Sequence, residues 1–148
     1  RMVDGGAKRV TDRMARARGE VRMTPATRAR ALSRETKKGD PIAIAELAGI
    51  MAAKRTADLI PLCHPLALSS VKVNIEAAPG TDTLLVEAIV KTSGQTGVEM
   101  EALTAVTASC LTLYDMLKAI DKAMVIGAVE LVEKTGGKSG DYLKSESE

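Results

Sequence analysis

The chain has 148 residues, a net charge of +2 and 45% hydrophobic residues, but only two aromatic ones, Tyr114 and Tyr142. This length fits one domain, which buries about 68–70% of the surface of its unfolded chain. The scarcity of aromatic rings leaves no stacking platform for bases and argues against a single-stranded nucleic-acid binder. No apolar run reaches the ~18 residues of a membrane span, and the polar N-terminus does not resemble a signal peptide, so we expect no membrane partner and a cytoplasmic location.

Charge is distributed unevenly along the chain. Residues 1–40 contain 12 Lys and Arg against 5 Asp and Glu, whereas the remaining residues contain 9 against 14. The composition predicts a flexible basic arm over residues 1–16, a single α+β domain over residues 17–134 and a flexible tail rich in Gly, Ser and charge over residues 135–148. Such an arm is solvated, binds nucleic acid or closes over a polyphosphate. Because the chain begins with Arg1, we also expect residues upstream of it.

The first predicted elements are a strand and a helix. Residues 19–23 alternate weakly between apolar and polar side chains, as a short strand does. Thr24 and Pro25 provide an N-cap followed by proline at the first helical position, which predicts a helix over residues 25–35. Pro41 prevents that helix from continuing.

A second helix and an irregular loop follow. Residues 42–57 carry apolar side chains at helical spacing and predict an amphipathic helix. Residues 58–65 contain Pro61 and Pro65, which make a regular element improbable. We therefore expect a fixed loop built from apolar residues.

The second half of the chain predicts a hairpin, a long helix and a final strand. Residues 70–77 alternate cleanly, and residues 84–92 form the returning strand after a turn. Residues 94–122 are apolar on more than one side and predict a buried helix. Residues 124–133 are rich in β-branched side chains and predict a strand. The order β-α-α-β-β-α-β predicts an α+β fold of the ferredoxin-like kind, in which helices cover an antiparallel sheet and one helix is inserted.

Charged residues mark both ends of the long predicted helix. Glu99 and Glu101 open it, and they either cap the helix or accept hydrogen bonds from an amine-rich ring such as guanine or pterin. Asp115 and Lys118 are three residues apart and share one face near its end. A buried helix that carries charge at one patch indicates a site.

The predicted loop holds the only histidine of the chain, His64, beside Cys63. This histidine is either structural or functional, and the flanking prolines, which hold the backbone still, give the two interpretations equal weight. One histidine and two cysteines without ligand spacing argue against a zinc site within one chain. Cys63 and Cys110 provide no disulfide framework, so we expect a reducing compartment.

Three lysines, Lys38, Lys134 and Lys138, are each more typical of solvated surface groups when they are judged singly. Lys138 lies in residues 136–140, which resemble the end of a P-loop but lack its first glycine and its helix. We interpret this segment as a mobile flap that carries a lysine.

Several segments together resemble the MoaC family. In family order they are Met2-Val3-Asp4, Lys38-Gly39-Asp40, residues 48–56, residues 58–65, residues 96–104, Tyr114-Asp115-Met116, Lys118-Ala119, residues 124–127, and Lys134 with residues 136–141. The departures are Arg1, Gly5, Leu117 and little likeness over residues 28–36. None of them falls on a position to which we assign chemistry.

The resemblance implies a phosphorus–oxygen lyase of molybdenum cofactor biosynthesis. It would convert 3′,8-cyclo-7,8-dihydroguanosine triphosphate to cyclic pyranopterin monophosphate and pyrophosphate, which requires proton transfers and charge neutralisation. The implied catalytic residues are Asp115, Lys118 and Lys38. The implied substrate-binding residues are Leu62, Cys63, His64, Glu99, Met100, Glu101, Arg13, Lys134 and Lys138. No metal site or cofactor is implied, and whether Mg²⁺ accompanies the triphosphate stays open.

The resemblance also implies a homohexamer, a trimer of dimers. Glu101 and Asp115 lie about 21 Å apart along a straight helix at ~1.5 Å per residue, too far for one small substrate to contact both. We therefore expect sites at subunit interfaces, with these two residues supplied by different chains. Two rival hypotheses are a non-catalytic binder of nucleotides or RNA, whose affinity would fall steeply with salt, and a metal-dependent cyclohydrolase, against which the poor ligand set argues.

Overall fold

The computed structural model describes residues 10–137 and 140–145 as an antiparallel sheet with helices packed on one face. The elements are β1 (Thr11–Arg22), α1 (Pro25–Ser33), α2 (Pro41–Lys54), α3 (Thr56–Leu59), β2 (Leu68–Ala77), β3 (Thr83–Gly94), α4 (Glu99–Leu117), β4 (Val125–Thr135) and β5 (Tyr142–Leu143). The strand order is β2-β3-β1-β4-β5. The predicted α+β fold is confirmed, and the arrangement is consistent with a ferredoxin-like fold.

The central strand β1 places small residues against the helices. Its buried side chains alternate with charged ones, and the residues that face the helices are Ala15, Ala17, Gly19 and Val21. A Cβ atom at Gly19 would lie 2.7 Å from Val106 Cγ1 of α4. The glycine therefore lets α4 pack close to the sheet.

The opposite face of the sheet carries ion pairs between neighbouring strands. Arg16 of β1 bonds Glu87 of β3 at 2.9 Å and Glu133 of β4 at 3.1 Å. Arg18 bonds Glu130 at 2.6 Å. Opposite charges on adjacent strands stabilise their pairing, by about 0.2–1 kcal/mol for each exposed pair. These pairs also favour the observed register of β1 between β3 and β4.

Helices α2 and α4 pack against each other over the sheet. Asp40 caps α2, because its Oδ1 accepts hydrogen bonds from the N–H groups of Ile42 and Ala43 at 3.0 and 3.1 Å. The Ser109 hydroxyl of α4 donates to the Ala45 carbonyl of α2 at 2.8 Å. α4 is unbroken over its 19 residues. None of the described helices is long and apolar enough to cross a membrane.

The buried side of α4 also holds Cys110. Burial, and to a lesser degree the charge of Glu20, raises the pKa of Cys110 to about 12. The thiol is therefore neutral and serves as a packing residue.

The predicted arm and tail both contain strand residues. β1 begins at Thr11, not at Gly19, so residues 11–16 of the predicted arm belong to the sheet. Their charged side chains look solvated in sequence, yet Arg16 is paired across the strands. In the predicted tail, Tyr142 and Leu143 pair with β4 as β5. Residues 1–9 of the arm and residues 138–139 and 146–148 of the tail lie outside the described part.

Two details of the long helix differ from the prediction. α4 ends at Leu117 rather than at residue 122. Leu111 and Ile120, which the apolar pattern places in the core, are 60% and 58% exposed. The helix is apolar on two sides, but only one of them faces the sheet within this chain.

Candidate functional site

Charged side chains gather at the C-terminal end of α4. This C-terminal cluster consists of Lys38, Asp115 and Lys118. Lys118 Nζ donates to Asp115 Oδ1 at 2.8 Å. Lys38 Nζ lies 3.4 Å from the main-chain oxygen of Asp115 and 4.0 Å from its Oδ2. The three residues that the sequence assigns to catalysis therefore lie together.

The electrostatics of the C-terminal cluster favour its charged forms. The Lys118 hydrogen bond, followed by the charges of Lys118 and Lys38, lowers the pKa of the Asp115 carboxyl below its ordinary value. The hydrogen bond to Asp115 in turn raises the pKa of Lys118. At neutral pH the cluster is a carboxylate flanked by two ammonium groups, which is able to accept a proton and to bind an anionic oxygen.

Neighbouring residues that the sequence analysis did not assign to the site hold Lys38 in place. Lys38 lies in a tight turn between α1 and α2, and Thr36 and Gly39 close this turn through two main-chain hydrogen bonds of 3.1 and 3.0 Å. Arg34 bonds Asp40 at 3.2 Å beside it. In the sequence, the position of Thr36 three residues before Gly39 is the pattern that indicates such a turn.

A second group of charges, the N-terminal cluster, lies at the other end of α4. It consists of Arg13 of β1, Glu99 and Glu101 of α4, and Lys134 of β4. Lys134 Nζ donates to Glu99 Oε2 at 3.0 Å. Arg13 Nε donates to the Gly94 carbonyl at 2.8 Å. Three elements, β1, α4 and β4, thus bring these four predicted substrate-binding residues together.

The two carboxyl groups of the N-terminal cluster lie in different environments. Burial favours the neutral form of Glu99, but the hydrogen bond and charge of Lys134 outweigh it and lower the pKa of Glu99. Glu101 is only 4% exposed, and burial, followed by the charge of Glu99, raises the pKa of Glu101. The two neighbouring carboxyl groups therefore differ in acidity, Glu99 being the more acidic and Glu101 the less acidic.

The segment that follows the predicted loop joins the sheet at the same end as Arg13 of the N-terminal cluster. It enters β2 just after Ala67, whose carbonyl accepts a hydrogen bond from the Thr92 hydroxyl at 2.6 Å. Thr92 is also the β3 partner of Arg13. The predicted substrate-binding residues of the loop are Leu62, Cys63 and His64, of which Leu62 is 92% exposed, His64 is exposed and Cys63 is half-buried.

Two glycines support Arg13, and the sequence prediction did not assign them to the site. Gly94 accepts its hydrogen bond. A side chain at Gly137 would collide with the Arg13 guanidinium, so the backbone of the glycine-rich segment lies against it. Met100, another predicted binding residue, is 38% exposed beside Glu99. Lys138 lies outside the described residues.

The two clusters are separate within one chain. They occupy opposite ends of α4, about 21 Å apart at Glu101 and Asp115. In residues 10–137 and 140–145, no group of three or more His, Cys, Asp and Glu side chains is arranged to hold a metal ion. A site that uses all the predicted residues therefore needs both ends of the helix.

The chain was compared with known proteins. A model of the MoaC family matches residues 2–137. A cyclic pyranopterin monophosphate synthase from Parvibaculum lavamentivorans is 60% identical over 142 residues, covering 96% of this chain and 89% of the relative. Proteins of the same name from Roseiflexus sp. and Desulfitobacterium hafniense are 59% and 55% identical, covering 97% and 99% of this chain and 90% and 89% of their own length. With a family match over nearly all its length and relatives this similar, the chain belongs to the MoaC family.

Proposed function

We propose that this chain is a cyclic pyranopterin monophosphate synthase. It converts 3′,8-cyclo-7,8-dihydroguanosine triphosphate to cyclic pyranopterin monophosphate and pyrophosphate, and it acts in the cytoplasm without a cofactor of its own. The observation that carries the proposal is identity of 55–60% over nearly the whole chain to relatives that bear this name. The placement of Asp115 between Lys38 and Lys118 supports it, since the reaction needs proton transfer beside a triphosphate.

The C-terminal cluster carries out the proton transfers in this proposal. Asp115 is ionised at neutral pH, as an exposed aspartate ordinarily is, and its neighbours lower its pKa further, so the base form is present and acts as the proton acceptor. Lys118 and Lys38 supply N–H donors to the oxygen atoms on which negative charge develops. A positioned acid or base contributes about 10²–10⁴-fold to the rate.

The N-terminal cluster binds the substrate. Glu99 and Glu101 accept hydrogen bonds from the amine and amide groups of the ring, and Cys63 and His64 line the pocket. Arg13, Lys134 and Lys138 neutralise the phosphates. Lys134 donates to Glu99 Oε2 at 3.0 Å, which places its ammonium group beside the proposed ring-binding carboxylate.

We propose that two subunits complete each site. Helices α2 and α4, which pack against each other, both expose large apolar residues to solvent, here called the α2/α4 face. They are Ile44, Leu47, Met51, Met100 and Leu111. Leu47 is 56% exposed, Met51 51% and Leu111 60%. Exposed apolar residues gathered on two neighbouring helices indicate a protein contact, and a second copy of the chain is its occupant.

A two-fold axis near Ala108 explains how the clusters meet. Glu101 and Asp115 are each seven residues from Ala108. If two α4 helices pack antiparallel across such an axis, Glu101 of one chain lies opposite Asp115 of the partner subunit. Each dimer then has two sites, and three dimers form the proposed hexamer.

The direct test is incubation of the protein with the cyclised GTP intermediate. The pterin product and pyrophosphate are expected in equal amounts. Unchanged intermediate, with folded protein verified by circular dichroism, would reject the enzyme assignment. A nucleotide or RNA binder would instead hold its ligand with an affinity that falls steeply with salt and is unaffected by Asp115→Asn.

A further inference from the structure

The turn that carries Lys38 is held by one hydroxyl group. Thr36 Oγ1 donates to the Gly39 carbonyl at 2.7 Å and accepts from the Lys38 N–H at 3.2 Å. These bonds join the two main-chain bonds between Thr36 and Gly39. Gly39 has φ +117°, a conformation that favours glycine. The backbone of Lys38 is therefore fixed on both sides.

The ends of this turn are fixed as well. Arg34 ends α1 with φ 62° and bonds Asp40 Oδ2 at 3.2 Å. Asp40 uses its other oxygen, Oδ1, to cap α2. The turn is thereby attached to both helices that it connects.

We infer that the Thr36 hydroxyl is a positioning group that directs Lys38 toward Asp115. Lys38 is half exposed, and a long flexible side chain reaches one carboxylate reliably only if its backbone is fixed. Its Nζ lies at the outer limit of ion pairing with Asp115 Oδ2, 4.0 Å, so a small change in the turn breaks the contact. The inference rests on the proposed role of Lys38 in the reaction.

Thr36 lies within residues 28–36, outside the segments that carry the resemblance to the family, whereas Lys38 belongs to one of those segments. The role inferred for Thr36 therefore rests on the hydrogen bonds of the turn and not on the resemblance.

The test replaces the hydroxyl while keeping the shape of the side chain. Thr36→Val removes both side-chain hydrogen bonds, and Thr36→Ser retains them. Among the described residues, Lys118 and Lys38 are the charged groups that act on Asp115. NMR titration of the Asp115 carboxyl therefore reports where Lys38 lies. We expect the pKa of Asp115 to rise in Thr36→Val toward its value in Lys38→Ala and to stay at the wild-type value in Thr36→Ser.

Activity and a double variant complete the test. In Thr36→Val, kcat/KM is expected to fall about 2- to 10-fold, the loss that one or two hydrogen bonds produce, while Thr81→Val on the exposed hairpin turn has no effect. In the Lys38→Ala background, Thr36→Val is expected to cause no further change in the Asp115 pKa. An unchanged Asp115 pKa in Thr36→Val, or an equal shift in the Lys38→Ala background, would overturn the inference.

Two further controls keep the result interpretable. If Thr36→Val does not fold, Arg34→Gln removes the ion pair with Asp40 that joins the two ends of the same turn, and it is expected to raise the Asp115 pKa in the same way. The titration needs no substrate. A failure of the positioning role is therefore distinguishable from a failure of the proposed reaction, which the conversion assay on the wild-type protein tests separately.

Discussion

Glu101 and Asp115 stand near opposite ends of the same unbroken helix, about 21 Å apart along its axis. Glu101 is buried among the elements of its own chain, whereas Asp115 is exposed. One substrate cannot bridge them within one subunit. The resemblance to the family implies that both residues contact substrate, and this distance is the physical reason for then placing the site between two chains.

The first prediction concerns the pH dependence of the proposed base. The folded-state pKa of Asp115 is lowered, chiefly by the Lys118 hydrogen bond, so the base form is lost only when pH falls below the ordinary range of an aspartate. Lys118→Met removes that bond while keeping the aliphatic stem. We expect the acidic limb of kcat/KM against pH to move to higher pH in this variant. Lys122→Met, an exposed lysine nearby, is the control, and an unmoved limb in Lys118→Met would contradict the assignment.

The second prediction separates functional lysines from surface ones. Lys38→Ala is expected to lower kcat/KM by about 10²-fold or more without unfolding the protein, because it removes a donor aimed at developing charge. Lys72→Ala and Lys91→Ala change exposed lysines of the β2–β3 hairpin and are expected to stay within about twofold of wild type. Equal and small effects at all three positions would show that Lys38 is an ordinary surface lysine without a role in the reaction.

The third prediction concerns stability. The folded-state pKa of Glu99 is lowered, so its bond to Lys134 stabilises the fold above the ordinary glutamate pKa, and this contribution is lost as pH falls through the folded-state pKa. Lys134→Met is expected to lower the free energy of unfolding by about 1 kcal/mol at pH 7. At acidic pH, where Glu99 is protonated, the substitution is expected to lower it by less. Urea unfolding over a pH series measures this difference, with Lys91→Met as the control. A loss independent of pH would show that packing, not the ion pair, is responsible.

The fourth prediction concerns the α2/α4 face. Leu111→Lys places a charge at the centre of the proposed contact, where burial without a partner is costly, and is expected to yield monomers that lack activity. Leu143→Lys, at a leucine that is 69% exposed on β5, is the matched control and is expected not to yield monomers. Sedimentation velocity distinguishes the species. Intact dimers in Leu111→Lys would exclude this face as the interface.

Much of the fold follows from the sequence because its signals are local. The clean alternation of β2 and the apolar periodicity of α4 each depend on neighbours within one element. Residues 11–18 of β1 fall outside the predicted strand because their inward side chains are small. Ala15 and Ala17, like Gly19 after them, have low strand propensity, and they are required only because α4 packs closely above them. That requirement is tertiary, and the sequence of β1 alone does not display it.

Part of the candidate site was predictable from the sequence, but the residues that hold its side chains in place were not. The spacing of Asp115 and Lys118 on one helix face predicts their contact, and the structure places them 2.8 Å apart. Lys38 approaches Asp115 from 77 positions away, and only the resemblance to a family assigned it to the same site. Thr36 acts through its hydroxyl in a turn, and Gly94 acts through its carbonyl at the end of β3. The contact of Gly94 with Arg13 joins residues 81 positions apart, which a local sequence pattern does not reveal.

The most direct measurement mixes two inactive proteins, Glu101→Ala and Asp115→Ala, under conditions that let subunits exchange. Half of the dimers are then mixed, and each has one site with both groups intact and one site with neither. We predict recovery of about a quarter of the wild-type rate of pyrophosphate release. No recovery, with exchange verified by mass spectrometry of differently labelled subunits, would contradict a site shared between chains.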